Sequence, residues 1–261
     1  MKKRITVILT TLCLLSSVSN IAFADNSKTT SQVNIDSRIV NENNIDFRSG
    51  PSTTYELIKQ LNKGTSIKIL SYEKGWYKVL ANNIEGYVES KYITYNDVLF
   101  LDWFEDGESL LTRDDAASNL NNSFIVEDVE TGKTFEMLRT GGTNHADVEP
   151  LTANDSDIIK EIWNGFNWTR RSIYIHIEGI VYGASMSGMP HAGLDNEPAR
   201  EYTDLNRSNN YGAGINYDSV KNNDVDGHMD IHLLNSKTHT TSKLDEAHQE
   251  NIKNLMKIYN K

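Results

Sequence analysis

The residues able to do acid–base or metal chemistry are crowded into one part of this chain. All seven histidines lie between His145 and His248. The densest run is Gly227-His228-Met229-Asp230-Ile231-His232-Leu233-Leu234. It alternates strictly, with Met229, Ile231 and Leu233 on one side and His228, Asp230 and His232 on the other. Period two marks a half-buried strand. Same-face neighbours on a strand lie about 6.5–7 Å apart, close enough to share a metal ion or pass a proton. Three titratable groups on one face are costly unless paired, which favours function over a satisfied polar network.

A catalytic zinc takes three protein ligands from His, Asp and Glu and keeps one position for water. The ion makes that water acidic enough to supply hydroxide near neutral pH. The expected ligands are His145, Asp147, His191, Asp230 and His232, with His228 or His239 as proton shuttle. The chain has no His-Glu-x-x-His motif. Asn144 stands where it can orient His145. His176 reads as outward or hydrogen-bonded in place, His248 as a surface residue, and Trp163 and Trp168 as core. Arg170 and Arg171 read as a surface pair able to hold a substrate carboxylate.

The elements that must position these residues form an α+β domain over residues 96–261. Phe124–Val126 and Lys133–Leu138 flank Glu130-Thr131-Gly132 as a hairpin. Asp155 or Ser156 caps a helix over Asp157–Phe166. Ser172–Glu178 and Ile180–Met189 read as strands. Gly193–Asn223 reads as a long loop or lid. Asp245 caps a last helix with Ile252, Leu255, Met256 and Tyr259 as its apolar stripe. Val98–Phe104 is apolar and is expected to pack onto this domain.

Upstream, residues 39–95 read as short strands broken by turns, the pattern of a small barrel. Ile45-Asp46-Phe47-Arg48-Ser49-Gly50-Pro51-Ser52, Lys63-Gly64, Gly75-Trp76-Tyr77-Lys78-Val79 and Gly86-Tyr87-Val88 resemble the bacterial SH3-like domain, in order and over the whole segment. Tyr87 stands where the family often has Trp. The resemblance implies tethering to peptidoglycan. Tyr55, Tyr72 and Tyr92 are the candidates for an exposed aromatic wall-binding groove, whereas Trp76 reads as core. The fold expected is thus mainly β plus α+β, a small SH3-like β-barrel followed by an α+β domain.

Residues 1–24 have a basic start, a short apolar run and Ala22-Phe23-Ala24, a secretory signal pattern. Residues 25–38 read as a flexible polar leader. The only cysteine, Cys13, lies in the signal segment, so disulfides, thiolate sites and a cysteine nucleophile are not expected in the mature chain. Export without cysteine suits a Gram-positive cell surface. The formal net charge is −10, which disfavours nucleic acid and anionic membrane as partners.

Two further resemblances concern the second domain. His145-Ala146-Asp147 with His228-x-Asp230-x-His232 is similar to cell-wall peptidases with His, Asp, His ligands. Met189-Pro190-His191-Ala192-Gly193 followed by Gly227–His232 resembles, at a distance, the L,D-transpeptidases. There His191 would take the base position and Asp230 would stand in place of the nucleophilic cysteine. A carboxylate does thiolate acyl transfer poorly, so that likeness implies a changed or lost mechanism. The expected function is a secreted, wall-associated protein that binds peptidoglycan and cleaves its peptide by metal-assisted hydrolysis, with zinc as the expected cofactor. The alternative is a non-catalytic wall-binding protein.

Overall fold

A computed structural model describes residues 37–239 and 241–259. The expected signal peptide and residues 25–36 of the leader lie outside the described residues. The chain is mainly β, an SH3-like sheet followed by an α+β region.

The first sheet holds β1 (Ser37–Val40), β2 (Ile45–Arg48), β3 (Leu57–Leu61), β4 (Ser66–Glu73), β5 (Trp76–Ala81), β6 (Ile84–Glu89) and β7 (Ile93–Thr94). Their order is β3-β2-β6-β5-β4-β1-β7. Ser37 and Arg38, read as leader, already pair in β1. Alternation along β2 and β5 sends Phe47, Tyr77, Val79 and Ala81 into one core with Val40, Ile67 and Val88. Trp76 is buried, as its sequence context implied.

The second sheet holds β8 (Phe124–Asp128), β9 (Thr134–Gly141), β10 (Ala146–Pro150), β11 (Asn167–Ile177), β12 (Ile180–Gly188), β13 (His191–Ala192) and β16 (Gly227–His232). β16 pairs with both β12 and β10, so β10-β9-β8-β11-β12-β16 close into a ring of antiparallel strands. Closure, which removes free strand edges, was not legible in the sequence. The ring encloses Val126, Met137, Val148, Ile175, Ala184, Met186, Met229 and Ile231. Between the sheets, a short turn ends in α1 (Glu108–Leu110). Leu99 bridges to Tyr182, Asp102 bridges to Leu234, and Trp103 is fully buried, while the side chains of Leu99 and Phe104 stay exposed, so the apolar stretch packs only in part.

Helix α2 spans Ala153–Trp163, earlier than the pattern suggested. Its cap is Thr152, whose side chain accepts from Asp155 N while Asp155 receives Thr152 N, a capping box. Asp155, taken as a cap from sequence, is thus the third residue of the first turn. Helix α3 (Glu246–Tyr259) begins where Asp245 accepts from Ala247 N and His248 N. The segment 193–223 is not a bare loop. It contains the hairpin β14 (Tyr202–Arg207) and β15 (Gly212–Ile215).

A buried polar cluster joins the two sheets. Arg38 of β1 pairs with Glu127 of β8, which also accepts from Tyr95 Oη at 2.6 Å and from His176 Nε2 at 3.0 Å. His176 is therefore hydrogen-bonded in place and buried rather than outward. A second link runs through the hydroxyls of Thr94, Tyr259 and Tyr174, the last two 2.6 Å apart.

Candidate metal centre

Register builds the site. β10 and β16 pair so that Asp147 lies directly opposite Asp230. β13 pairs with the start of β16 so that His191 lies opposite His228. On the reverse face Ala146, Val148, Met229 and Ile231 enter the barrel core with no exposed surface. Period two therefore puts all the polar groups on the outer face, as the alternation implied. Two glycines permit the close approach. Gly142 (φ +86°) turns the chain into β10, where any Cβ would strike the carbonyl of His145. Gly227 (φ +93°) lets β13 cross β16, and a Cβ there would strike the carbonyl of His191.

Three imidazoles are anchored alike. His145 Nδ1 donates to the Lys237 carbonyl at 2.6 Å, His191 Nδ1 to the Met189 carbonyl at 3.1 Å, and His228 Nδ1 to the Tyr217 carbonyl at 3.3 Å. Fixing Nδ1–H on a carbonyl leaves Nε2 as the inward atom, the arrangement usual for metal-ligating histidines. The Nε2 atoms converge on the two carboxylates. His145 Nε2 is 3.2 Å from Asp230 Oδ1 and 3.4 Å from Asp147 Oδ1. His191 Nε2 is 3.6 Å from Asp230 Oδ1, and His228 Nε2 is 3.8 Å from Asp147 Oδ2. Two ligand atoms on a tetrahedral zinc, each about 2.1 Å from it, sit about 3.4 Å apart. The separations fit ligands around a cation.

The electrostatics point the same way. Among the described residues no Lys or Arg pairs with Asp147 or Asp230; their ion partners are imidazoles. Burial raises the cost of the Asp147 charge, but the surrounding His228, His239 and His145 hold its carboxyl at about 2. Asp230 also resists burial and stays well below the usual carboxylate range, through His145 first. Burial likewise opposes charge on His145, yet the hydrogen bond to Asp230 and both carboxylates raise it to about 9. Burial pushes His228 down to about 4, so it is neutral near pH 7. The face draws positive charge to one point, and a metal there would displace the His145 proton.

Of the expected ligands, His145, Asp147, His191 and Asp230 are brought together. His228 and His239, expected as shuttles, join them, His239 Nε2 lying 2.7 Å from Asp147 Oδ1. His239 is the exposed member, with 41% of its side chain accessible. His232, expected as a ligand, falls outside the metal-holding groups because its place in the register is behind His145. Its ring stacks on His145 at 4.4 Å and on His248 at 4.0 Å, and its Nδ1 is 3.0 Å from Ser236 Oγ. His248, read as surface, is buried and meets Ser185 Oγ at 2.9 Å.

Two residues, Tyr211 and Glu149, went unnoticed in the sequence, and others stand differently from their expected places. Trp168, read as core, is half-buried and stands 5.0 Å from the His191 ring, as does Tyr211. Glu149 is fully buried and accepts from Ser219 N and Val220 N at 2.8–3.0 Å, fastening the 193–223 segment beside β10. Burial pushes Glu149 up to about 8. Its place two residues after Asp147 on an alternating strand was the available signal. Asn144 bonds Thr238 O rather than His145. Arg170 and Arg171 are held by Asp245 and by Asp128 with Glu130. Of the aromatic candidates, Tyr55 is exposed, while Tyr72 and Tyr92 are half-buried and pack against Tyr77 and Lys91.

Residues 43–94 match the family described as Bacterial SH3 domain. Over 70 residues the chain is 30% identical to a protein of Bacillus subtilis (strain 168) named "Putative N-acetylmuramoyl-L-alanine amidase YrvJ". That match covers 27% of this chain and 14% of the relative's length. No helix of the described residues is long and apolar enough to cross a membrane.

Proposed function

We propose that this chain is a secreted, cell-wall-associated hydrolase. Its SH3-like sheet holds peptidoglycan, and its second barrel cleaves an amide bond in the peptide part of that polymer. The observation that carries the hydrolytic half is the convergence of carbonyl-anchored imidazoles on Asp147 and Asp230, whose ion partners among the described residues are imidazoles. The SH3 family match and the amidase-named relative support the wall as target.

In this reading His145, Asp147 and Asp230 hold one divalent ion, zinc being the best match to this His and Asp donor set. When bound, the ion supplies a water with a pKa of about 7 and polarises the scissile carbonyl. His239, on Asp147 and open to solvent, takes the proton of the attacking water and returns it to the leaving amine. Water adds to the carbonyl carbon, the C–N bond breaks, and a carboxylic acid and an amine leave. Trp168 and Tyr211 form the apolar wall against which the peptide lies.

The test is to incubate the purified full chain with bacterial sacculi and follow new amino groups and released fragments by mass spectrometry. Release that zinc supports, a chelator stops and His145→Ala abolishes is the expected result. Intact sacculi under all conditions would leave only wall binding, which a pull-down with sacculi measures separately.

A further inference from the structure

The proposed site has more ligands than one ion uses. The donors form two sets, His145, Asp147, Asp230 with His239, and His191, His228 with Asp230. Within each set every ligand atom lies within 4.8 Å of the others, and Asp230 is the shared member. A catalytic zinc takes three protein ligands, and His145, Asp147 and Asp230 already supply them. The pair His191–His228, directly opposed in register with rings 4.3 Å apart, is left over.

That pair is not a hydrogen-bonded structural element. Both rings spend Nδ1 on backbone carbonyls, so each turns its Nε2 toward the carboxylates. His228 is 4% exposed and its Nε2 is buried without a hydrogen-bond partner. It faces Asp147 Oδ2 at 3.8 Å, and His191 Nε2 likewise faces Asp230 Oδ1 at 3.6 Å. A buried Nε2 with no hydrogen-bond partner, 3.8 Å from a carboxylate oxygen, leaves a gap that a cation between the two would fill. The carboxylates are placed to serve both sides. Asp147 turns Oδ1 to His145 and His239 and Oδ2 to His228. Asp230 Oδ1 stands between His145 and His191.

We infer that this face binds two divalent ions, with His191 and His228 as terminal ligands of the second and Asp230 as the bridging carboxylate, Asp147 spanning the same gap. The inference rests on the metal reading above and deepens it. Paired ions in hydrolytic sites lie about 3.5–4 Å apart, a distance that a carboxylate spans. His191 stands beside Trp168 and Tyr211, so an ion held by His191 and His228 would add positive charge on the side where those rings would hold the substrate.

The experiment is metal stoichiometry of the full chain, loaded with zinc, dialysed in metal-free buffer and measured by elemental mass spectrometry. Two zinc ions per chain are expected, falling to one in His191→Ala and in His228→Gln. Circular dichroism checks the fold of each variant, and His191→Gln replaces the alanine variant if that one does not fold. With Mn²⁺ in place of zinc, the parent is expected to give an exchange-coupled pair signal in electron paramagnetic resonance, and His191→Gln an isolated-ion signal. One zinc in the parent, unchanged by these variants, overturns the two-ion inference and leaves the single-ion hydrolase standing. Two zincs in both parent and variants overturn it as well, since the second ion then lies elsewhere. No zinc in any form overturns both readings.

Discussion

Two buried clusters in this molecule combine imidazole with carboxylate, and they differ in one respect. Where the sheets meet, Glu127 faces the Arg38 guanidinium, the Tyr95 hydroxyl and His176. On the outer face of the second barrel, the ion partners of Asp147 and Asp230 among the described residues are imidazoles. Each cluster leaves one imidazole nitrogen unpartnered, His176 Nδ1 and His228 Nε2. An orphan nitrogen therefore does not separate a structural cluster from a functional one. The source of positive charge does. Glu127 has a cation that cannot lose its charge, so the cluster is complete. The two aspartates depend on imidazoles, of which His145 is raised to about 9 and His228 lowered to about 4, so two carboxylates lean on titratable groups and a cation from outside would complete the cluster.

The sharpest way to break the comparison is to remove one charge from each cluster. Arg38→Met leaves Glu127 buried and unmatched, which costs about 3–5 kcal/mol. The double change Arg38→Met with Glu127→Leu removes both charges, and most of that loss is expected to return. Asp230→Asn removes the partner that holds His145 charged, so the metal-free protein should lose stability near pH 7, but less than Arg38→Met because His145 can give up its proton where Arg38 cannot. Urea unfolding of the four proteins reads this directly. Equal losses for Arg38→Met and Asp230→Asn would remove the distinction between the clusters.

Ligand linkage gives the next effect. An ion that binds only the folded chain stabilises it by about 2.7 kcal/mol at a concentration 100 times its dissociation constant. Zinc should therefore raise the melting temperature of the parent and of the Arg38→Met, Glu127→Leu double variant alike. It should leave Asp230→Asn unmoved. A shift that persists in Asp230→Asn would place the zinc away from this face.

Acid tests the first cluster by itself. Burial opposes the Glu127 charge, but Arg38 and then His176 outweigh it and hold its pKa below the usual value. A depressed carboxyl contributes stability that is present above the unfolded value of about 4.3 and lost as pH falls through the folded one. The parent should thus lose urea resistance below about pH 4 more steeply than the Arg38→Met, Glu127→Leu double variant. Parallel curves would mean that other carboxylates carry the acid sensitivity.

How much of this was legible beforehand follows from what alternation can encode. Met229, Ile231 and Leu233 against His228, Asp230 and His232 fixed the inner and outer faces of β16, since the side-chain period is two. The turn residues of the first sheet carried its fold in the same local way. What alternation lacks is register. Nothing local says that Asp147 meets Asp230, that His191 meets His228, or that β10 reaches back to β16 and closes the ring. That is why the strand pattern alone does not assign the roles of His228, Asp230 and His232. The three residues of the face are equivalent along the strand and are distinguished only by what stands across from them. His248 was misjudged for a related reason. It lies on a helix whose partner, Ser185 on β12, is distant in sequence.

The smallest effect tests whether His232 acts through His145 or on the ion itself. Its ring lies between His145 and His248, both near parallel to it, at interplanar angles of 20° and 8°. Burial pushes it down to about 2, so it stacks as a neutral ring. A residue that orients a ligand from behind typically changes metal affinity or activity by about 10–100-fold when replaced. His232→Ala should weaken zinc binding within that range while keeping the bound stoichiometry. His232→Phe keeps the stack and loses only the bond to Ser236, so it should recover part of the affinity. A lost ligand behaves differently, because no aromatic hydrocarbon restores a missing nitrogen. If His232→Phe and His232→Ala both cost a whole zinc per chain in competition with a chromophoric chelator, then His232 coordinates the ion, and the division between the ligands and the ring behind them has to be redrawn.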